Sequence, residues 1–300
     1  MGSASFIDAT AVGPRDVHGD GRARYRTDVP DDWNAPVLPH GGVLAAIAAR
    51  AMERELDARE QTLRSISVVF ASPVRPGAAG VDVQVLRRGR SISQVLATLT
   101  NDGEPAGLTA IGVFGTSRPG FEFTDCAMPS VPPPLECPSF RDPLPDDVVS
   151  ERRFNATFWE HAEGRAGLGL PWWDPTPRTS SEQGSWYRFD APPLLDDGSW
   201  DPLAIVALCD TMPGAVGQRI GFRDDRPMWM SPSADLHVHL LGTARSDWLF
   251  GHNFCRKAGD GYASLEMFMW DPVVGLVAYA TQQMFFSFPD GPPTASQLTV

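Results

Sequence analysis

The sequence has few cysteines, and none of them are spaced as metal-binding or disulfide-rich domains space them. The four cysteines lie far apart, without a C-x-x-C pair: Cys126, Cys137, Cys209 and Cys255. Disulfide frameworks and structural zinc sites both need cysteines that recur at short, regular spacings. This scarcity argues against either kind of site. It predicts a reducing compartment. Separately, we expect the protein to need no cofactor.

Lysine is almost absent, because Lys257 is the only one and arginine supplies nearly all the positive charge. The 37 acidic residues outnumber the 25 basic ones, which gives a formal net charge of −12. An acidic chain is repelled by the phosphates of nucleic acids and by anionic lipid headgroups. We therefore expect no nucleic-acid partner and no membrane partner.

Long apolar runs are missing as well. No stretch approaches the roughly 20 apolar residues that a membrane-spanning helix needs. The first residues also lack the charged start and apolar core of a secretory signal peptide. Together with the cysteine pattern, these absences predict a cytoplasmic protein.

Three common signatures of catalysis or nucleotide binding are absent from the sequence. It has no G-x-S-x-G turn, which carries the serine of many hydrolases. It has no P-loop and no Rossmann glycine fingerprint. These absences argue against a serine hydrolase of that type and against nucleotide-dependent chemistry.

The strongest feature that is present is a helix preceded by a double glycine. Pro39-His40-Gly41-Gly42 leads into an alanine-rich run, Val43–Leu56, whose larger apolar residues recur every three to five positions. Its small side chains would let the helix axis approach a sheet closely. Free N–H groups at a glycine-rich helix start can bind a ligand. His40, Gly41 and Gly42 are therefore candidate substrate-binding residues.

Strand-like segments follow this helix, and the same order returns later in the chain. The predicted strands after the first helix are Thr62–Phe70, Val81–Val85, Ser91–Thr100 and Pro105–Thr116. A second helix, Leu203–Met212, opens with Asp201-Pro202, a good N-cap and first-turn pair. The strands predicted after it are Ala234–Leu241, Trp248–Arg256, Tyr262–Trp270 and Val277–Phe286. Further strands are predicted at Ser3–Ala9, Arg22–Thr27, Phe154–His161 and Ser185–Phe189.

A proline-rich segment separates the two repeats. It includes Pro132-Pro133-Pro134, and such composition is typical of an extended linker. We therefore predict an N-terminal domain at 1–118, a linker at 119–147 and a C-terminal domain at 148–300. Helix followed by four antiparallel strands, twice over, predicts an α+β fold.

Four segments resemble the TesB-type double-hotdog acyl-CoA thioesterases. They are Phe70–Gly77, Leu86–Ser93, Ala234–His237 and Gly275–Gln283, in the order that the family has them, and the Gly41-Gly42 helix start before them is similar too. The resemblance implies two antiparallel sheets, each wrapped around a long helix. It also implies hydrolysis of acyl-CoA by a water that an aspartate, a glutamine and a serine or threonine activate, without a covalent intermediate.

The resemblance carries the catalytic aspartate onto Asp235 and the glutamine onto Gln282. Gln283 stays open as the alternative glutamine, because neighbouring residues of a strand face opposite sides of the sheet. The expected hydroxyl would fall near Cys255 and Arg256, where the sequence has none. A different polar partner, a weaker site or a non-catalytic relative would each explain this departure.

Several other polar residues are candidates for binding or catalysis. His237 and His239 share one strand face with Asp235, but no further metal ligand stands at a sensible spacing, so we predict no metal and assign His237 to the acyl cleft. Arg90, in an arginine-rich turn, is a candidate for the CoA phosphates. Asp210 is the acid of the second helix, at a place comparable to the acidic helix residue of some single-hotdog thioesterases, but we favour its interpretation as a polar residue near a helix end.

The function predicted from these features is hydrolysis of acyl-CoA or a related acyl thioester, by a homodimer or a higher homo-oligomer. One alternative is a non-catalytic protein that binds acyl thioesters. The other is a hotdog hydratase or dehydratase of enoyl or hydroxyacyl thioesters. That chemistry needs an acid–histidine pair, and His40 has no acidic partner nearby in the sequence.

Overall fold

The computed structural model describes residues 5–17, 22–144, 156–171, 174, 176–221 and 226–300. Its helices are α1 (Phe6–Ala9), α2 (Gly41–Leu56), α3 (Phe158–His161), α4 (Pro202–Cys209) and α5 (Gly214–Ile220), with a 3-10 turn at Pro134–Glu136. None of the helices in these ranges has the length and apolar character to cross a bilayer.

Fourteen strands are present in the same ranges. They are β1 (Arg15–Val17), β2 (Ala23–Val29), β3 (Asn34–Ala35), β4 (Leu38–Pro39), β5 (Thr62–Phe70), β6 (Gly77–Arg87), β7 (Ile92–Asn101), β8 (Leu108–Gly115), β9 (Ala162–Leu168), β10 (Gln183–Phe189), β11 (Asp235–Leu240), β12 (Leu249–Gly259), β13 (Tyr262–Asp271) and β14 (Gly275–Phe285).

Twelve of these strands form one sheet, in the order β1-β2-β6-β7-β8-β5-β11-β14-β13-β12-β10-β9. The two halves of the chain join where β5 pairs antiparallel with β11, as in the partners Ser67 and His237. The structure therefore differs from the expectation of two separate sheets. Two edge strands that each leave backbone groups unpaired satisfy them by pairing with one another.

The predicted repeat is present in the topology. In the first half the strands after α2 lie in the order β6-β7-β8-β5, and in the second half those after α4 lie as β12-β13-β14-β11. Each half therefore places its first strand at the centre of the sheet, beside the equivalent strand of the other half.

The sheet encloses a buried pair of helices, α2 and α4. The five alanines of α2 and all residues of α4 from Leu203 to Cys209 are buried. A Cβ atom on Gly42 would lie 2.6 Å from the carbonyl oxygen of Ala207 in α4. At this point the small residues of α2 serve a close helix–helix contact, in addition to the predicted approach to the sheet.

The second helix is interrupted. It was predicted as one segment, Leu203–Met212, but α4 ends at Cys209 and α5 begins at Gly214. Pro213 explains the break, since proline disfavours helical geometry at the residue before it and supplies no N–H. Asp210, the C-cap of α4, lies at this break.

Two strand predictions were wrong in the described residues. Phe6–Ala9 is a helical turn, because the Ser5 hydroxyl accepts a hydrogen bond from the Asp8 N–H and caps it. Phe158–His161 is also a helical turn. Residues 3–4 and 154–155 of those two predicted strands lie outside the described residues.

Candidate active site

A cavity of about 1550 Å³ opens beside the break between α4 and α5. The start of α2 contributes His40 and Gly41 to its wall. The break contributes Asp210, and the loop before β11 contributes Ser233. Large apolar side chains, among them Phe158, surround these polar groups. A concave, largely apolar site with a few convergent polar groups is the usual form of a small-molecule site.

Asp210 is the buried acid of this cavity. Its side chain is about 5% exposed and its carboxylate receives several hydrogen bonds. The Gly42 N–H donates to Oδ2 at 2.8 Å, and the Ser233 hydroxyl donates to Oδ1 at 2.9 Å. The Gln282 side-chain amide also donates to Oδ1. These donors fix the orientation of the carboxylate and compensate for its removal from water.

Gln282 and Ser233 are bonded to each other as well as to Asp210. The Gln282 Nε2 donates to the Ser233 Oγ at 2.6 Å. Gln282 is 3% exposed, and its Oε1 has no hydrogen-bond partner among the described residues. A buried carbonyl oxygen without a partner is costly, so a ligand or water that donates to it would be favoured here.

The start of α2 reaches the same carboxylate. Its N-cap residue, His40, makes no side-chain cap hydrogen bond, and the Gly42 N–H uses Asp210 from the other half of the chain instead. The Gly41 N–H donates to no described residue. A helix N-terminus carries a partial positive charge, so this N–H is suited to an oxygen that gains negative charge.

His40 is buried beside Asp210. Its Nδ1 lies 3.6 Å from Asp210 Oδ2, and its ring stacks on Phe158 with the centroids 4.2 Å apart. Burial lowers the pKa of His40, and the nearby Asp210 offsets part of that effect. Its imidazole is therefore neutral at neutral pH, and its Nδ1 has no hydrogen-bond partner in the described part of the chain.

The lowered pKa of His40 makes a prediction for stability. In the unfolded chain His40 takes up a proton near pH 6.5, whereas the folded protein resists protonation until a lower pH, so acid favours the unfolded state. We expect the free energy of unfolding to fall as the pH drops below about 6.5, with His40 contributing up to about 1.4 kcal/mol per pH unit. Urea unfolding of the wild type and His40→Asn between pH 5 and 8 measures this contribution.

A matched control is His252→Asn, the same substitution at a histidine that does not line the cavity and whose Nε2 lies 2.8 Å from a Glu182 carboxylate oxygen. The His40 variant should show a shallower acid slope than the wild type and the His252 variant. Equal slopes in all three proteins would contradict the interpretation.

Two family models match the chain in order. Residues 29–115 match the N-terminal domain of acyl-CoA thioesterases, and residues 134–286 match the C-terminal domain. The chain belongs to the acyl-CoA thioesterase family. No curated protein matches this thioesterase.

Solved structures agree on the fold. A conserved hotdog protein of unknown function from Alicyclobacillus acidocaldarius is 25% identical, with a TM-score of 0.76 over 96% of this chain and 99% of that one. The acyl-CoA thioesterase II TesB2 from Mycobacterium marinum is 22% identical, with a TM-score of 0.70 over 96% and 100%. A putative thioesterase II from Thermobifida fusca is 23% identical, with a TM-score of 0.71 over 94% and 97%. The fold of the thioesterase is therefore a hotdog fold with a large antiparallel sheet.

Asp235, the aspartate predicted to be catalytic, lies outside the cavity of the thioesterase. It is the exposed first residue of β11, and its Oδ1 accepts a hydrogen bond from the Gln283 backbone N–H at 2.8 Å. Gln283 also faces outward, where its Oε1 accepts from the Ser264 hydroxyl. Of the two adjacent glutamines, it is Gln282 that points inward, and the carboxylate it meets is that of Asp210.

Cys255 and Arg256 do not reach the cavity either. Cys255 lies on β12, where its backbone bonds to the hydroxyl of Ser181 from the segment before β10, and burial raises the pKa of its thiol. Arg256 pairs with Glu266 on the outer face of the sheet. The hydroxyl beside Gln282 comes instead from Ser233, in the loop before β11.

His237 and Arg90 are also outside the cavity. His237 lies on the outer face, where its Nδ1 is 2.5 Å from the Ser67 Oγ and its Nε2 is 2.9 Å from the His239 Nε2. Burial and the neighbouring His239 lower the pKa of His237. Within the described residues this pair gains no third ligand for a metal. Arg90 is exposed in the turn between β6 and β7, and among the described residues the arginines that line the cavity are Arg141 and Arg226.

Proposed function

We propose that the protein hydrolyses acyl-CoA through a water molecule activated by Asp210. The observation that carries this proposal is the convergence of the Gly42 N–H, the Ser233 hydroxyl and the Gln282 amide on one buried carboxylate at the wall of a large apolar cavity. An aspartate, a glutamine and a hydroxyl are also the three groups that the family resemblance implies.

The chemistry needs a base, a position for water and a place for the reacting carbonyl. The Asp210 carboxylate accepts a proton from the water as the oxygen attacks the thioester carbon. The Gln282 Oε1, which has no partner among the described residues, accepts the second O–H of that water and holds it in place. Collapse of the tetrahedral intermediate breaks the carbon–sulfur bond, and the proton held by Asp210 passes to the departing CoA thiolate.

The start of α2 supplies the group for the carbonyl oxygen. The Gly41 N–H lies beside Asp210 and lacks a partner among the described residues, and it donates to the oxygen as negative charge develops. Such prealigned donors give some of the largest contributions to acyl-transfer catalysis. The neutral His40 closes this corner and keeps bulk water from the carboxylate.

A second candidate function is the hydration of enoyl thioesters, or the reverse dehydration. The observation that favours it is the His40–Asp210 pair at 3.6 Å, an acid–histidine pair that the sequence alone did not reveal. The family match favours hydrolysis, so hydration is the runner-up.

One assay separates the candidates. Purified protein is mixed with saturated acyl-CoAs from C2 to C18 and free thiol is followed with a chromogenic disulfide, while crotonyl-CoA absorbance reports hydration. We expect thiol release from at least one saturated substrate. Loss of crotonyl-CoA absorbance without thiol release would overturn the hydrolase proposal in favour of the hydratase. Binding without either reaction would leave the non-catalytic binder.

Two substitutions of Ser233 test whether its hydroxyl contributes to catalysis. Ser233→Ala removes a donor to Asp210 and an acceptor of the Gln282 amide, so we expect kcat to fall by about 10-fold or more. Ser233→Thr keeps the hydroxyl and should retain most of the activity. Steady-state thiol release measures both variants, and equal activities in the two would show that the hydroxyl has no role.

We also propose that the protein forms a homodimer or a higher homo-oligomer and is cytoplasmic. We propose two domains, at 1–118 and 148–300, joined by a linker at 119–147. The end of that linker, from residue 145, lies outside the described residues.

A further inference from the structure

Part of the wall of this largely apolar cavity, beyond Asp210, is polar. Strand β10 contributes Gln183, Ser185 and Tyr187, and the α4–α5 region contributes Thr211 and Gln218. A pocket for a plain alkyl chain gains most from aliphatic and aromatic walls, because polar groups next to a hydrocarbon lose water without compensation.

In both glutamines of this wall, the side-chain carbonyl oxygen accepts a hydrogen bond from another part of the protein. The Gln218 Oε1 accepts from the Leu170 backbone N–H at 3.1 Å, which fixes the orientation of its amide. The Gln183 Oε1 accepts from the amide of the buried Asn253 at 3.3 Å. No described residue accepts a hydrogen bond from the NH₂ group of either glutamine. Both therefore remain as hydrogen-bond donors at the cavity wall.

There is also room for a ligand next to these donors. Gly217 lines the same part of the cavity, and a Cβ atom built on it would meet no atom within 4 Å. Gly217, Gln218 and Gln183 all line this cavity, so the open volume at the glycine and the two amides belong to one space.

We propose that the acyl group of the substrate carries a hydrogen-bond-accepting oxygen along its chain, such as a ketone, which the amide NH₂ groups of Gln218 and Gln183 bind. This inference rests on the proposed function for the identity of the substrate as an acyl thioester. A site built to hydrogen-bond a substrate oxygen discriminates strongly against the analogue that lacks it, because its own polar groups then stay unpaired.

The test uses binding, so that its outcome does not depend on turnover. The probes are S-octyl-CoA, a thioether that cannot be hydrolysed, and three analogues with a ketone at carbon 5, 6 or 7 of the octyl chain. Calorimetry gives their dissociation constants. We expect at least one ketone to bind about 10-fold more tightly than S-octyl-CoA.

The matched variants are Gln218→Glu and Gln183→Glu. Each keeps the shape and the accepting oxygen that the protein uses, but replaces the donating NH₂ with an oxygen that repels the ketone. At least one of them should lose the preference for the ketone while its affinity for S-octyl-CoA stays within about twofold of the wild type. Gln94→Leu, on β7 and away from the cavity, should keep the preference.

If none of the ketones binds more tightly than S-octyl-CoA, or if both glutamate variants keep the preference, the inference is wrong. A failure of the proposed function has a different signature, since thiol release from saturated acyl-CoAs would then be absent whatever the binding preference.

Discussion

Asp210→Asn is expected to reduce kcat for thiol release by about 10³-fold, the range typical for loss of a general base. The amide has nearly the shape of the carboxylate, but it cannot take a proton from the attacking water. It also presents an NH₂ group to at least one of the three donors that now converge on the carboxylate. KM should change much less than kcat, because the cavity that holds the acyl group is otherwise intact.

The matched control is Asp235→Asn, the same chemical change at an exposed carboxylate. Asp235 bonds only to the Gln283 backbone among the contacts seen, so its variant should retain near wild-type activity. Circular dichroism and thermal unfolding of both variants show that they are folded. If Asp235→Asn abolishes hydrolysis and Asp210→Asn does not, the assignment reverts to the one that the sequence resemblance implies.

The comparison of Asp210 with Asp235 shows where sequence reasoning reaches its limit. Strand periodicity and the family resemblance led to the neighbourhood of the proposed site, because Gln282 lies inside β14 and Ser233 stands two residues before Asp235. The choice of Asp210 as the proposed acid depends on the approach of α2 to α4, which are about 170 residues apart in the chain and whose contact is tertiary. In the sequence, the acidic residue of the second helix and the glycines of the first were the available signals for this contact.

In the fold, too, local elements were predicted from the sequence and tertiary contacts were not. β5 was predicted at Thr62–Phe70 and is confirmed at both ends, because alternation of buried and exposed side chains is a local signal. The pairing of β5 with β11 was not predicted, since backbone hydrogen bonds between sheet edges leave little trace in side-chain patterns. Pro213 signals an end of the helix, but the residues before that proline do not show that the helix already ends at Cys209.

Gly42→Ala is expected to destabilise the protein by about 3 kcal/mol, near the upper end for overpacking. The added Cβ would lie 2.6 Å from the Ala207 carbonyl oxygen and 2.7 Å from its Cα. Both are backbone atoms of a buried helix, so neither can move without shifting α4. Urea unfolding of the variant and the wild type measures the difference.

Gly217→Ala is the control, because it makes the same substitution in another helix with no atom within 4 Å of the new methyl group. Alanine is favoured over glycine within a helix, so this variant should be more stable by about 0.5–1 kcal/mol. Opposite signs from one substitution would separate the helix–helix contact from helix propensity. A Gly42 variant as stable as the wild type would mean that α2 and α4 can part.

The activity of the Gly42 variant tests whether the close approach of α2 to α4 serves catalysis as well as packing. The glycine that lets α2 lie against α4 also donates its N–H to Asp210 at 2.8 Å. A methyl group that pushes the helices apart therefore lengthens this hydrogen bond and moves the Gly41 N–H away from the carboxylate. We expect Gly42→Ala to lose activity even under conditions where it is fully folded, whereas Gly217→Ala keeps its activity on short acyl chains. Full activity of folded Gly42→Ala would show that the geometry of the carboxylate does not depend on the spacing of the two helices.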